Sequence, residues 1–173
     1  MALLAETREL LSFLRRNPSV RDQIAAGPNA TILYSGKIIK AAWREVEELK
    51  LTNPSLRQRK TLPEVLRAIN LVGQRFPNLL DWAQSLDSLV PWNENGFIGW
   101  RALSGIFASN AVGSVSFVVG SGINRAEKVF AATEVSVLLR NPNIDSTTRD
   151  LLEYYDRCVK ERRADIGVSF IPA

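Results

Sequence analysis

Apolar residues recur at helical spacing through most of the first half of the chain. Leu3, Leu4, Leu10, Leu11 and Leu14 predict an amphipathic helix over 3–16, because residues three, four and seven apart share one helix face. Asn17-Pro18 ends it, since a residue before proline is disfavoured in the helical region. A second short helix is predicted from Ser19 to Ala26, closed by Gly27-Pro28. The period then changes: Ala30 to Tyr34 is a short β-prone run stopped by Ser35-Gly36. Ile38, Ile39, Ala42, Trp43, Val46 and Leu49 return to helical spacing, with Glu45, Glu47 and Glu48 on the polar side. After a turn at Thr52 to Ser55, helices are predicted from Pro63 to Val72 and from Leu79 to Leu89. Asn93 to Gly96 reads as a loop.

The second half alternates. A helix from Trp100 to Ala111 leads into a β-rich run, Ser114 to Val119, and then Gly120-Ser121-Gly122. Glu134 to Leu139 is a second β-rich run, closed by Asn141-Pro142-Asn143. A last helix is predicted from Thr147, with Asp150 three residues later as in a capping box. Its buried face would carry Leu151, Leu152, Tyr155, Cys158 and Val159. Strands separated by helices point to an α/β fold. The expectation is a helical N-terminal portion, 1–28, packed on a small, mainly parallel sheet within one domain, 1–173. Open α/β sheets bind ligands at the carboxyl ends of their strands. That places Tyr34-Ser35-Gly36, Gly120-Ser121-Gly122 and the surroundings of Glu134 under suspicion.

Composition narrows the chemistry. The 173 residues are 46% hydrophobic and 23% charged, enough to bury a core. There is no histidine and one cysteine, Cys158. A Ser-His-Asp triad, a Cys-His pair, a histidine metal site and an internal disulfide are all excluded, and no metal site is expected. Acid–base work must fall to carboxylates, Lys, Tyr or water. Lys and Arg outnumber Asp and Glu by 22 to 18, but they are scattered, so they read as a solvated surface and no nucleic-acid partner is expected. Glu6, Arg8 and Glu9 interrupt the first apolar run, which argues against a signal peptide. The stretch Ile98 to Ile123 reads as a helix and a strand, not as a membrane span. The expected site of action is cytoplasmic, with delivery by another system left open.

Gly120-Ser121-Gly122 does not begin a dinucleotide fingerprint, because Arg125 occupies the place of the third glycine. Trp100 and Ser104 lie four apart on one helix face. Each remaining candidate also has a plain reading: Trp100 as core, Tyr34 as half-buried packing, Glu134 as a strand-end residue facing water.

Together the candidates resemble a known family. Residues 99–120 resemble the signature of the ADP-ribosyl cyclase and NAD glycohydrolase family: Trp100, Ser104, Phe107-Ala108, Ala111 and Val115 fit its spacing without a gap. Phe130 and Glu134 reproduce its later Phe and catalytic Glu, and Ile32-Leu33-Tyr34-Ser35 resembles its strand ending in Trp-Ser, with Tyr34 replacing the Trp. Val112 stands where the signature has a cysteine. The family's second acid falls in a segment that here reads Thr61-Leu62-Pro63-Glu64, so the acid is absent or shifted by one.

The resemblance implies an ADP-ribosyl cyclase-like fold and cleavage of the nicotinamide–ribose bond of NAD or NADP, with no cofactor beyond that substrate. It implies Glu134 as the catalytic carboxylate, Tyr34 and Trp100 as faces for the cationic ring, Phe130 as a wall, and Ser35, Gly36 and Ser104 as further substrate contacts. Glu64, Arg101 and Gly120 are second-rank candidates. The scarcity of cysteine suggests a bacterial-type member, an NAD-depleting toxin domain whose producer would need a cognate immunity or inhibitor protein. Two other readings stand beside it. One is a non-enzymatic binding module or inhibitor partner on the same fold. The other is an ADP-ribosyltransferase, whose usual Arg, Ser-Thr-Ser and Glu-x-Glu set is missing.

Overall fold

The structure, a computed structural model, describes residues 5–35, 39–87, 97–119, 133–161 and 168–170. Helix α1 (Ala5–Arg16) buries Leu10, Phe13 and Leu14 on one face. Asn17 closes it by donating its amide to Phe13 O at 2.8 Å. Pro18 then opens α2 (Pro18–Gln23), where its fixed φ suits a first turn. Strand β1 (Thr31–Ser35) follows, then α3 (Ile39–Thr52), a 3-10 turn at Pro54–Leu56, and α4 (Leu62–Arg67). Helix α4 is shorter than the predicted stretch to Val72. Residues 70 and 78 bridge instead, and Leu79 N–H returns to Ile69 O, so the chain loops out and leaves Val72 94% exposed. Helices α5 (Leu79–Asp87) and α6 (Phe97–Ser109) precede strand β2 (Val115–Val119). The chain ends with α7 (Val135–Arg140), α8 (Ser146–Lys160) and β3 (Val168–Phe170).

The class is α/β, but the sheet is mixed. β1 and β2 pair in parallel from Thr31↔Val115 to Ser35↔Val119, and β3 adds antiparallel to the far side of β2. The short terminal strand β3 was not expected. Residues paired across β1 and β2 share a face. Leu33, Val115 and Phe117 join the main core with α1, α4, α5, α6, α7 and α8. Ile32 and Val118 pack on the other side with Val46 of α3 and Leu56. Arg59, 5% exposed, staples the amino ends of the parallel pair. Its guanidinium donates to Thr31 O and Ser114 O, each at 3.0 Å, and to Ser114 Oγ at 2.6 Å. Gly113, just before β2, adopts φ +77, and a Cβ there would collide with Asn29 Oδ1.

Two expectations are overturned. The β-rich run from Glu134 to Leu139 is helical, as α7. Val135 and Leu138 are buried while Ser136 and Arg140 are exposed, a three-residue period that no strand produces. Leu138 and Leu139 favour a helix, and packing against α6 and α8 overrides the β preference of Val135 and Val137. The start of α8 is capped by Asp145, whose Oδ1 accepts from Thr148 N at 2.8 Å, rather than by Thr147. The predicted loop from Asn93 to Gly96 lies outside the described residues.

Asn141, just after α7, ties that corner to the end of α6. Asn141 Nδ2 faces the carbonyls of Ala108, Ser109 and Ala111 at 3.0, 3.2 and 2.9 Å, and its Oδ1 accepts from Asn143 N at 2.9 Å. Arg149 of α8 caps the same corner by donating to Leu139 O and Asn141 O. Asn141→Asp should therefore destabilise the protein by about 3 kcal/mol or more in urea unfolding. A carboxylate cannot donate to the three carbonyls and meets the negative end of α6. Asn141→Ala should cost about 2 kcal/mol by the same measurement.

Candidate functional site

The site forms at the carboxyl end of the parallel pair. Tyr34 is the penultimate residue of β1 and projects on the Ile32 face, half-buried beside the α3 cluster. Burial pushes its phenol well above the ordinary range. The negative charges of Glu134, then Glu64, then Glu47 push it further in the same direction. Three carboxylates from separate parts of the chain therefore act on one phenol, which stays protonated.

Glu134 lies in the turn that leads into α7, with helical φ −62 and ψ −45, and caps no backbone N–H with its side chain. It is buried, 6% exposed, so the reading of a residue facing water is wrong. Burial raises its carboxyl from the usual 4.5 to about 8, and a hydrogen bond from Ser104 opposes the rise. At neutral pH the acid is mostly protonated. Ser104 is buried on α6. The two segments meet closely: a Cβ on Gly105 would stand 3.6 Å from Thr133 Cγ2. The Thr133 hydroxyl, next to Glu134, is buried without a protein hydrogen-bond partner.

Trp100 sits one turn before Ser104 on α6 and packs, half-buried, against the main core. Arg101 is exposed on the same helix. Glu64 lies in the first turn of α4, where Lys50 Nζ of α3 meets its Oε1 at 2.5 Å. Ser35 pairs with Val119 at the last register position of the sheet. Gly36, Gly120 and Phe130 lie outside the described residues, as does the side chain of Ser35. Of the expected residues, a hydrogen bond joins Glu134 to Ser104, and the charges of Glu134 and Glu64 act on Tyr34. It keeps Trp100 on the helix that carries Ser104.

Sequence reasoning missed Lys50, Glu47 and Thr133. Only Thr133 had a signal, its adjacency to Glu134; the other two are brought in by α3. No family model, curated protein or solved structure matches the chain. No helix among the described residues is long and apolar enough to cross a membrane.

The burial of Glu134 has a thermodynamic consequence. A folded carboxyl titrating near 8 instead of 4.5 binds its proton more tightly than the unfolded chain does. Its contribution to stability is undiminished below about pH 4.5, falls as pH rises, and reaches its floor above about pH 8. Glu134→Gln should therefore be more stable than the wild type in urea, by a few kcal/mol above pH 8, with the gain vanishing near pH 4. Ser104→Ala should move the Glu134 titration, followed by carboxyl infrared absorption, to still higher pH.

Proposed function

We propose that the chain is an NAD(P) glycohydrolase or ADP-ribosyl cyclase-type enzyme that cleaves the nicotinamide–ribose bond, with an ADP-ribosyl cyclase-like fold. The observation that carries this reading is Glu134: a buried carboxyl, hydrogen-bonded by Ser104 and charge-coupled to Tyr34 at the sheet's carboxyl edge. The spacing of Trp100, Ser104 and Glu134, which resembles that family, supports it independently.

The chemistry suits a chain without histidine. Nicotinamide leaves a ribosyl cation as a neutral molecule, so no general acid has to protonate it. What accelerates the step is negative charge beside the developing oxocarbenium ion. Glu134 supplies it once ionised, and its low-dielectric surroundings strengthen the attraction. Tyr34 and Trp100 offer aromatic faces to the pyridinium, each worth about 1–2 kcal/mol when desolvated. Tyr34 and Thr133 hydroxyls can hydrogen-bond ribose oxygens. Water then captures the intermediate to give ADP-ribose, or adenine captures it to give the cyclic product; the displaced position of Glu64 inclines the reading to water.

Incubating the protein with NAD and with NADP, then separating products by chromatography, tests this. Nicotinamide should be released by the wild type, and Glu134→Gln should lower the rate at least about 100-fold. Because only ionised Glu134 is competent, kcat/KM should rise with pH and level off above about 8. The near-complete burial of Glu134 is the observation that favours the rival reading, a non-enzymatic binding module. Failure to turn over either dinucleotide at pH 9 would decide for that rival.

A further inference from the structure

Lys50 and Glu64 form an ion pair between the last turn of α3 and the first turn of α4, with side chains only 13% and 28% exposed. Glu64 stands three residues after the N-cap Thr61. A glutamate at that position ordinarily reaches back to the N-cap N–H, completing a capping box. Here only half of the box forms. Thr61 Oγ1 accepts from Glu64 N, while the Glu64 carboxylate turns to Lys50. Its local use is given up for a partner fourteen residues away.

The pair lies near Tyr34, which packs in one cluster with Val46 and with Leu49, the residue before Lys50 on α3, and the Glu64 charge is among those that act on the phenol. Those charges belong to Glu134 before α7, Glu64 on α4 and Glu47 on α3. Among the described residues, Lys50 is the cation that forms an ion pair with any of the three. We propose that Lys50 is a positioning residue that sets the charge of this site: by pairing with Glu64 it offsets one of the carboxylate charges beside Tyr34 and so limits the attraction for a cationic ring. The inference rests on the reading of Tyr34 as a contact for such a ring.

The two halves of the pair then act with opposite sign. Lys50→Met frees the Glu64 carboxylate and makes the site more negative. Glu64→Gln leaves the Lys50 ammonium unbalanced in a partly desolvated place and makes it more positive. The double variant removes both charges and returns close to the original balance. A merely structural role would weaken both single variants alike, whatever the ligand's charge.

The test is calorimetric titration of the full chain and these three variants at low salt with 1-methylnicotinamide, a permanent cation, and with nicotinamide, its neutral counterpart. The cation should bind Lys50→Met about 5-fold tighter and Glu64→Gln about 5-fold weaker than wild type. The double variant should match wild type, Lys50→Arg should too, and nicotinamide should bind all of them equally. Lys50→Gln replaces the methionine variant if the latter does not fold. Single variants shifting in the same direction, or nicotinamide shifting with the cation, would overturn the assignment of Lys50. NAD cleavage by the wild type is measured in parallel. Opposite shifts without cleavage would uphold the charge role and sink the enzymatic reading. Cleavage with charge-blind affinities would do the reverse, and no binding of the cation to any variant would overturn the inference.

Discussion

β1 and β2 are separated by some eighty residues of chain, yet run side by side in the same direction over five paired positions. Parallel strands cannot be joined by a tight turn, so α3 to α6 are the crossover that this pairing demands. The pairing brings Tyr34 of β1 and the end of β2 to one edge. Arg59 holds the opposite edge, bonding a carbonyl from each strand. With the amino ends stapled by a buried guanidinium, the register cannot slip by one residue without moving Tyr34 to the other face. The geometry of the candidate site therefore begins at the end of the sheet where no chemistry is expected.

From that sheet outward, the helices supply the chemistry in layers. α6 brings Ser104 against the turn before α7, and that turn buries Glu134. α3 and α4 contribute Glu47, Glu64 and Lys50, and the two glutamate charges also act on Tyr34. No carboxylate of the group is a sequence neighbour of another's element, except through the short link between α3 and α4. A protein gathers like charges in this way against their mutual repulsion. Burial of one as a neutral acid and pairing of another with lysine are the two devices that make the gathering tolerable.

Much of the fold was legible because most elements declare themselves by local period. Leu10 and Leu14 mark α1, Val46 and Leu49 mark α3, and the run Val115 to Val119 is β-branched enough to be read as a strand. The stretch 135–139 was misread because Val135 and Val137 suggested a strand, while Leu138 and Leu139 favour a helix and Val135 and Leu138, three apart, share the face that packs on α6 and α8. The candidate site was legible as far as Glu134, Ser104, Tyr34 and Trp100, whose spacing carries the resemblance. Its physical state was not. Burial of Glu134, the Lys50–Glu64 pair and the tie of Asn141 to the end of α6 each depend on a partner fourteen or more residues away. Nothing in the local pattern of a lysine says which carboxylate it will find.

The absence of histidine gains meaning beside the state of Glu134. Imidazole is the side chain that ordinarily changes charge within the physiological range, and this chain has none. By withdrawing a carboxyl from water until it titrates near 8, the fold gives a glutamate a charge change in that range. Its polarity is inverted. A histidine becomes cationic as its surroundings acidify, whereas Glu134 becomes neutral. Alkaline surroundings would place a negative charge inside the fold, and acidic ones would remove it.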